Sequence, residues 1–393
     1  MKQARTKESL YEAATMLKRN ALDIVAPLDQ LVMSRDMRTL TAGDHVGNLT
    51  PHAFAQLCRH VDVPVDYALR CRDSEYTQGA EGSIINSTFS RAPLMAQQIA
   101  NWLEHPVKNS MRLMRGIDPG EGRPVDWRAF LSNRYFPLDS FDLLAMVLKC
   151  CQDVEHRFGK VEWASGDINQ NEMFVKLVFP GLRREVKRSA RVGDVVQWGL
   201  YVENNEIGLG RWKLKGFVEF LVCTNGMVSS RVVTDREGNP LVTDKRHVGA
   251  TLPLEVDSGI QWGDEVYAAA KQLQMNMIED TIGHLLQPDK LEAEIAVFDR
   301  AAGSTQSSNL EVTVQRLAET TKKTIGMSDF EQRLVFNKFF SDGDRSQFGL
   351  SQAICSQEVA RGLDYARATQ FEQLAYNVIA LPERQWSTLA VAA

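Results

Sequence analysis

The chain has 393 residues, a net charge of −5, 44% apolar residues and 24% charged residues. This ordinary globular composition excludes wholesale disorder and a uniformly basic surface, although it allows a local basic patch. The sequence lacks the run of about 18 apolar residues that a membrane-spanning helix needs, and its charged start lacks the apolar core of a signal peptide. Six scattered cysteines without C-x-x-C spacing fit a reducing compartment and add to the expectation of a cytoplasmic protein with no membrane partner.

The first part of the chain predicts helices separated by short extended segments. Residues 1–24 are predicted as a polar N-terminal arm, and the tract 73–90 as a polar, glycine-rich loop. Thr50 before Pro51 is the signature of a helix N-terminus, because threonine caps and proline suits the first helical position. Further elements are expected as helices after Pro64, over 92–105 and from Asp139 or Ser140 to Phe158, and as a strand over 111–117.

The character of the chain changes after Phe158. Four segments rich in valine and aromatic residues, at 160–168, 171–179, 194–208 and 213–223, predict strands of one mostly antiparallel sheet. Helical periodicity resumes from Gly263, and the tract 301–309 predicts a linker. The expected fold class is α+β, with a mostly antiparallel central sheet flanked by helices and a helical C-terminal module. The predicted domains are a core at 25–300 and that module at 310–393.

Motifs for enzymatic chemistry are missing from the sequence. It contains no Walker-type phosphate loop, no H-E-x-x-H and no G-x-S-x-G, and Gly208 and Gly210 lie between two strands, where a hairpin turn is expected. His52, Cys58 and His60 share one predicted helix at spacings that do not place all three on one face. We therefore expect no ATP or metal cofactor and no catalytic residue, while a metal-dependent nuclease with unidentified acidic ligands stays open.

The strongest functional signal is a set of basic residues interleaved with aromatic residues. The segment 183–191 holds five basic residues against one acidic residue, and Lys213 and Lys215 share one strand face by period-two spacing. A cationic groove with aromatic platforms suits single-stranded nucleic acid, because phosphates bind the cations and bases stack on the rings. The predicted phosphate-binding residues are Lys176, Arg183, Arg184, Lys187, Arg188, Arg191, Arg211, Lys213 and Lys215, and the predicted base-stacking residues are Trp198 and Trp212. The alternative is a solvated sheet face with these aromatic residues in the core.

Two other basic sets receive a different interpretation. The first is interleaved with acidic residues, which predicts local ion pairs, and the second surrounds the turn 237–240, which predicts a long hairpin that is solvated or reaches a partner. The first set is Arg112, Arg115, Arg123, Arg128 and Arg134, and the second is Arg231, Arg236, Lys245, Arg246 and His247.

Four stretches together resemble the DUF932 group of phage- and plasmid-encoded proteins. They lie at 49–69, 126–148, 198–228 and 364–380, and the R-A-F-L-S-x-R-Y block at 128–135 and the C-T-N-G-M block at 223–227 are the most specific. The group's place on mobile replicons implies work on DNA or in the contest between phage and host, in the cytoplasm of a bacterial host cell. At the level of architecture alone, a sheet with basic strands in such a context is similar to the single-strand annealing proteins of the Rad52, RecT and Red-beta types.

Two functional hypotheses follow from these observations. The first is a single-stranded DNA-binding protein that anneals complementary strands without ATP, as a homo-oligomer larger than a dimer and in company with phage or host recombination proteins. The second is a non-enzymatic phage protein that binds a host defence complex, which the negative net charge and long helices suit equally well.

Overall fold

A computed structural model of the chain describes its structure over most of the sequence. Among the helices of the described residues, none is both long and apolar enough to cross a membrane. The protein is α+β, with mostly antiparallel sheets and helices before and after the second sheet, which confirms the predicted fold class. The described residues are 5–73, 75–78, 87–106, 111–133, 135, 137–186, 195–210, 212–221, 225–228, 244–245 and 263–390.

The first sheet is formed by residues before position 133. Its order is β1-β7-β8-β4-β3-β2, and all neighbours are antiparallel except the parallel pair β4 and β8. A separate hairpin, β5–β6, lies in the tract predicted as a loop. The strands are β1 Ala21–Pro27, β2 Val32–Met33, β3 Thr39–Ala42, β4 His45–Leu49, β5 Glu75–Gln78, β6 Ser87–Ser90, β7 Met111–Ile117 and β8 Val125–Ser132.

The helices of this part cover the first sheet, apart from α1. The hydroxyl of Thr50 accepts a hydrogen bond from the amide of Ala53, so the predicted cap and the proline start of α2 are confirmed. Phe54, Leu57 and Trp127 are fully buried in this first core. The helices are α1 Lys7–Arg19, α2 Pro51–His60, α3 Val65–Asp73 and α4 Ala92–Glu104, with a 3-10 turn at Leu28–Gln30.

The second sheet is antiparallel and has the order β13-β12-β11-β10-β9. Its four longest strands coincide with the four segments predicted from the sequence, and Gly208 has the positive φ of +77° that the predicted turn between β11 and β12 needs. The elements are α5 Ser140–Asp153, α6 Glu155–Phe158, β9 Glu162–Ile168, β10 Glu172–Glu185, β11 Val195–Asn205, β12 Trp212–Phe220, β13 Asn225–Val228 and β14 Asp244–Lys245, which pairs with β12.

The C-terminal helices pack on the second sheet instead of being tethered to it. Residues 301–309, predicted as a linker, are the end of a helix followed by a packed turn. In this turn the amide of Ser307 donates to the carbonyl of Arg345, and the carbonyl of Thr305 accepts from the indole of Trp386. The linker prediction is therefore wrong, because Ser304 and Ser307 are buried in this turn and hydrogen-bonded to other segments. The helices are α7 Asp264–Leu285, α8 Pro288–Ala302, α9 Leu310–Thr321, α10 Asp329–Asp342, α11 Gln347–Ile354, α12 Gln357–Ala360, α13 Tyr365–Ile379 and α14 Glu383–Ala390.

Two large cores divide the described residues differently from the predicted boundaries. One core lies between Ala26 and Phe130, around the first sheet. The other joins α5, the inner face of the second sheet and the C-terminal helices, and it includes Leu10 and Ala14 of α1. The predicted N-terminal arm therefore contains a packed helix, α1. The second core also extends across the predicted domain boundary at 301–309.

A buried ionic network connects the two cores. Arg115 of β7 lies 2.9 Å from Asp23 and 2.6 Å from Asp139, and Arg128 of β8 lies 3.1 Å from Glu206, beside the β11–β12 turn. Burial opposes ionisation of Asp139, but Arg115 and Lys18 outweigh it and hold the pKa of this carboxyl at about 2. Both guanidinium groups are buried, so their carboxylate partners fix how the first sheet meets the second.

Candidate nucleic-acid interface

The two tryptophans predicted to stack on bases lie in the second core. Trp198 is 2% exposed and Trp212 is 1% exposed, and the indole of Trp198 donates to the carbonyl of Leu285 at 2.9 Å. Both rings point to the inner face of the sheet, where the C-terminal helices cover it. The prediction of an exposed stacking platform at these positions is therefore wrong, because strand alternation turns these two side chains away from the cations.

Four of the five predicted cations that the structure describes in the second sheet lie on its opposite face, which we call the outer face, and the fifth, Arg184, is in register with Val196 of the inner face. Lys176, Arg183 and Lys213 alternate with inward-facing apolar residues along β10 and β12, so the period-two expectation for β12 is confirmed where it is described. Lys213 is paired with Glu203 at 2.6 Å, and Arg183 donates to the side chain of Gln197 at 3.2 Å. Internal partners thus already hold much of the positive charge on this face. Lys215 is half-buried beside them.

Lys176 is the most buried cation on the outer face. Its ammonium group lies 2.6 Å from the carboxylate of Glu372 on α13 and 5.0 Å from the ring centre of Tyr365. Burial alone would lower the pKa of Lys176, but the carboxylate of Glu372 outweighs it and raises that pKa, so the side chain stays charged. The exposed fraction of Lys176 is 5%, which contradicts its predicted role as a contact for an incoming phosphate.

A cavity of about 340 Å³ opens beside this pair, between the outer face and α12 and α13. Ser165 and Tyr365 are hydrogen-bonded to each other at its edge, with their hydroxyl oxygens 3.0 Å apart. Glu219 and Arg361 also line it, so its charged residues include both signs. The positive and negative charges that line the cavity are balanced, which does not suit a polyanion.

Among the predicted phosphate-binding residues that the structure describes, those that face solvent lie at the far end of β10. A register shift between Phe179 and Arg183 precedes this end of the strand, and Arg183 and Arg184 beyond it are exposed. Arg184 lies 2.6 Å from Glu292, but both side chains of this pair are largely exposed to water, which weakens it. The remaining predicted phosphate contacts, Lys187, Arg188, Arg191 and Arg211, lie outside the described residues.

The other two basic sets have separate outcomes. The ion pairs of Arg115 and Arg128 are buried and join distant parts of the chain, so the prediction of local pairs is wrong for these two. Arg123 does pair locally, with Glu121 at 3.8 Å, and Arg112 contacts His60. Arg134, Arg231, Arg236, Arg246, His247 and the side chain of Lys245 lie outside the described residues.

The residues considered as metal ligands have other partners. His52 contacts the carbonyl of Ile207 at 3.0 Å through Nε2, and Cys58 is a buried thiol whose pKa burial raises to about 11. In the part of the chain that the structure describes, no three histidine, cysteine, aspartate or glutamate side chains are grouped so as to hold a metal ion.

The sequence did not predict the acidic residues that pair with the cations of the outer face. Glu372 follows Lys176 by 196 positions, and Glu203 and Glu219 face the cations from within the sheet. Glu372 lies on α13 one turn after Ala368, and both residues line the cavity, so helical spacing is the signal that places them on one face. Comparison with known protein families, with curated proteins and with solved structures finds no match to this chain.

Proposed function

We propose that this protein binds single-stranded DNA and anneals complementary strands without ATP, with the cationic segment 183–191 as its phosphate-binding element. The observation that carries the proposal is the exposure of the first two cations of this segment. Arg183 and Arg184 are exposed at the end of β10, and three more basic residues follow within seven positions of a chain with a net charge of −5. Clustered cations on a negatively charged protein direct a polyanion to one place on its surface.

The proposal differs from the hypothesis drawn from the sequence in where the DNA strand binds. The inner face holds Trp198 and Trp212, and the centre of the outer face holds Lys176 with its own carboxylate partner. We therefore infer that DNA runs past the exposed end of β10, at Arg183 and Arg184, and that its bases do not enter the second core. The resemblance to the DUF932 group supports DNA as the ligand, because these proteins belong to mobile replicons.

A strand-annealing assay tests the proposal directly. Two complementary labelled oligonucleotides are mixed with the full chain in EDTA and without ATP, and duplex formation is followed by energy transfer between the labels. We expect the protein to bind each single strand and to accelerate duplex formation, because bound cations reduce the repulsion between phosphates. Absence of single-strand binding at low salt would reject the proposal, and degradation that appears only with Mg²⁺ would favour a nuclease instead.

The assembly part of the proposal concerns the exposed side of α10. Phe330 is 60% exposed and Phe340 is 66% exposed, and the rings of Phe336 and Phe340 stack with centres 6.2 Å apart. Exposed aromatic residues on one helix are typical of protein–protein contact surfaces. This surface also favours the second candidate function, a protein that binds a host complex, if the surface accepts a foreign partner.

We expect the purified chain to form a homo-oligomer larger than a dimer, and the double variant Phe330→Ser, Phe340→Ser to reduce that mass. Light scattering across a range of concentrations measures both. The control variant Tyr67→Ser removes an exposed aromatic side chain of the first part of the chain and should leave the mass unchanged. A wild-type mass equal to that of one chain at every concentration would contradict the prediction.

A further inference from the structure

A second cavity, of about 430 Å³, lies against the first sheet at the end of α4. Trp102 stands in the last turn of α4 and is 47% exposed, while the floor includes the buried residues Leu28 and Val61. Pro106 and Arg112 complete the apolar and cationic parts of the wall. The volume is within the range of cavities that enclose small ligands. A large aromatic ring beside it offers a flat surface for stacking.

Arg112 is the positive charge of this cavity. Its Nη2 atom lies 2.6 Å from Nδ1 of His60, and its guanidinium lies 5.9 Å from the ring centre of Phe130. Burial, with a contribution from Arg112, lowers the pKa of His60 to about 4, so the imidazole is neutral near pH 7 and serves as a hydrogen-bond acceptor. Arg112 is thereby oriented by a neutral partner, without an opposite charge from His60.

The half-buried guanidinium of Arg112 has no carboxylate within ion-pair distance among the described residues. A partly desolvated cation of this kind is stabilised by an anion that reaches it, and the planar guanidinium suits phosphate oxygens in particular. Asp62 also lines the cavity, and its exposed carboxylate disfavours a highly charged polyphosphate. The same carboxylate can accept hydrogen bonds from hydroxyl or amino groups of a ligand.

We propose that this cavity binds a nucleoside monophosphate unit, with its base against Trp102, its phosphate on Arg112 and a hydroxyl or amino group on Asp62. The three side chains supply the three parts of such a unit: a stacking surface, a cation and an acceptor. The unit can be a free mononucleotide or the 5′-phosphorylated end of a strand, which have the same chemistry. The inference is independent of the proposed role of the segment 183–191, since the two places share no residue.

Isothermal titration of the full chain with adenosine 5′-monophosphate tests this proposal. We expect saturable binding, with adenosine and ribose 5-phosphate each binding at least tenfold more weakly, because each lacks one of the recognised parts. Trp102→Ala should weaken binding about 5- to 150-fold through the loss of stacking. Arg112→Gln should weaken it about 10- to 100-fold through the loss of a charged hydrogen bond.

The matched controls keep the same region and change side chains outside the cavity. Leu94→Ala removes an exposed side chain of the same helix, and Arg123→Gln removes an exposed guanidinium of the first part of the chain. Both should bind the monophosphate as the wild type does, and thermal melting confirms that all four variants fold. The proposal would be overturned if the wild type showed no saturable binding at millimolar concentration. It would also be overturned if the Trp102 and Arg112 variants bound the monophosphate as tightly as the wild type does.

Competition separates the two sources of the ligand. A 5′-phosphorylated oligonucleotide that displaces the monophosphate, when its 5′-hydroxyl counterpart does not, identifies a strand end as the ligand, whereas no displacement by either identifies the free mononucleotide. A variant with reversed charges at Arg183 and Arg184 should bind the monophosphate normally. Failure of the DNA-binding proposal is thus distinguishable from failure of this one.

Discussion

Glu206→Ala should lower the free energy of unfolding by about 3–5 kcal/mol. The carboxylate of Glu206 makes two contacts. It lies 3.1 Å from the buried guanidinium of Arg128, and it accepts a hydrogen bond of 2.6 Å from the amide of Ser140. Alanine leaves Arg128 buried without its carboxylate and leaves the first amide of α5 without an acceptor. Urea unfolding followed by circular dichroism measures the loss as a lower midpoint at unchanged slope.

Two further variants separate these contributions. Glu206→Gln keeps an acceptor for the amide of Ser140 and removes only the charge, so its destabilisation should be smaller than that of alanine. Arg123→Gln breaks the exposed pair with Glu121 and should change stability by at most about 1 kcal/mol. If Glu206→Ala were as stable as Arg123→Gln, the network would not couple the two cores as described.

Local chemistry was sufficient to predict most elements of the fold. The Thr50–Pro51 start of α2, the four strands after Phe158 and the turn at Gly208 each follow from a few neighbouring residues. Such signals depend on backbone conformation and capping, which a short segment determines by itself. The part of the fold that they determine is the identity of each element, not its partners.

Strand alternation in the second sheet already separates the predicted cations from the predicted stacking rings. Lys213 and Trp212 are adjacent in β12, so alternation places their side chains on opposite faces. One face could therefore not present both the cations and the stacking ring, and the larger apolar residue was the one to be buried. Trp198, opposite Val218 on the neighbouring strand, follows the same rule.

Long-range partners could not be predicted in this way. Composition made 301–309 resemble a linker, because serine and glycine are frequent in linkers, yet Ser304 and Ser307 are buried against other segments. The pairing of Lys176 with Glu372 depends on how α13 crosses the sheet. The periodicity of the sequence does not contain that information. Lys176 was therefore predicted as a phosphate ligand, whereas the structure places it in an internal ion pair.

The remaining basic segment gives the prediction with the largest effect on binding. Reversing four charges together, Arg183→Glu, Arg184→Glu, Lys187→Glu and Arg188→Glu, should abolish most of the affinity for single-stranded DNA. Each lost phosphate contact removes about 0.7 from the slope of log affinity against log salt concentration, so the slope should flatten by about 2–3 units. The loss should be equal for any base sequence, because phosphates carry no sequence information.

A matched variant distinguishes a local effect from net charge. Arg300→Glu, Lys322→Glu, Lys323→Glu and Arg345→Glu change the net charge of the chain by the same amount, at four exposed positions of the C-terminal part. Fluorescence anisotropy with a labelled oligonucleotide, repeated across salt concentrations, should give this variant nearly the wild-type slope. Thermal melting should change little for either variant, because exposed charges contribute only modestly to stability. Equal affinities of the segment variant and the wild type at the same salt would remove the segment 183–191 from the binding surface. Equal losses in both variants would assign the effect to overall charge.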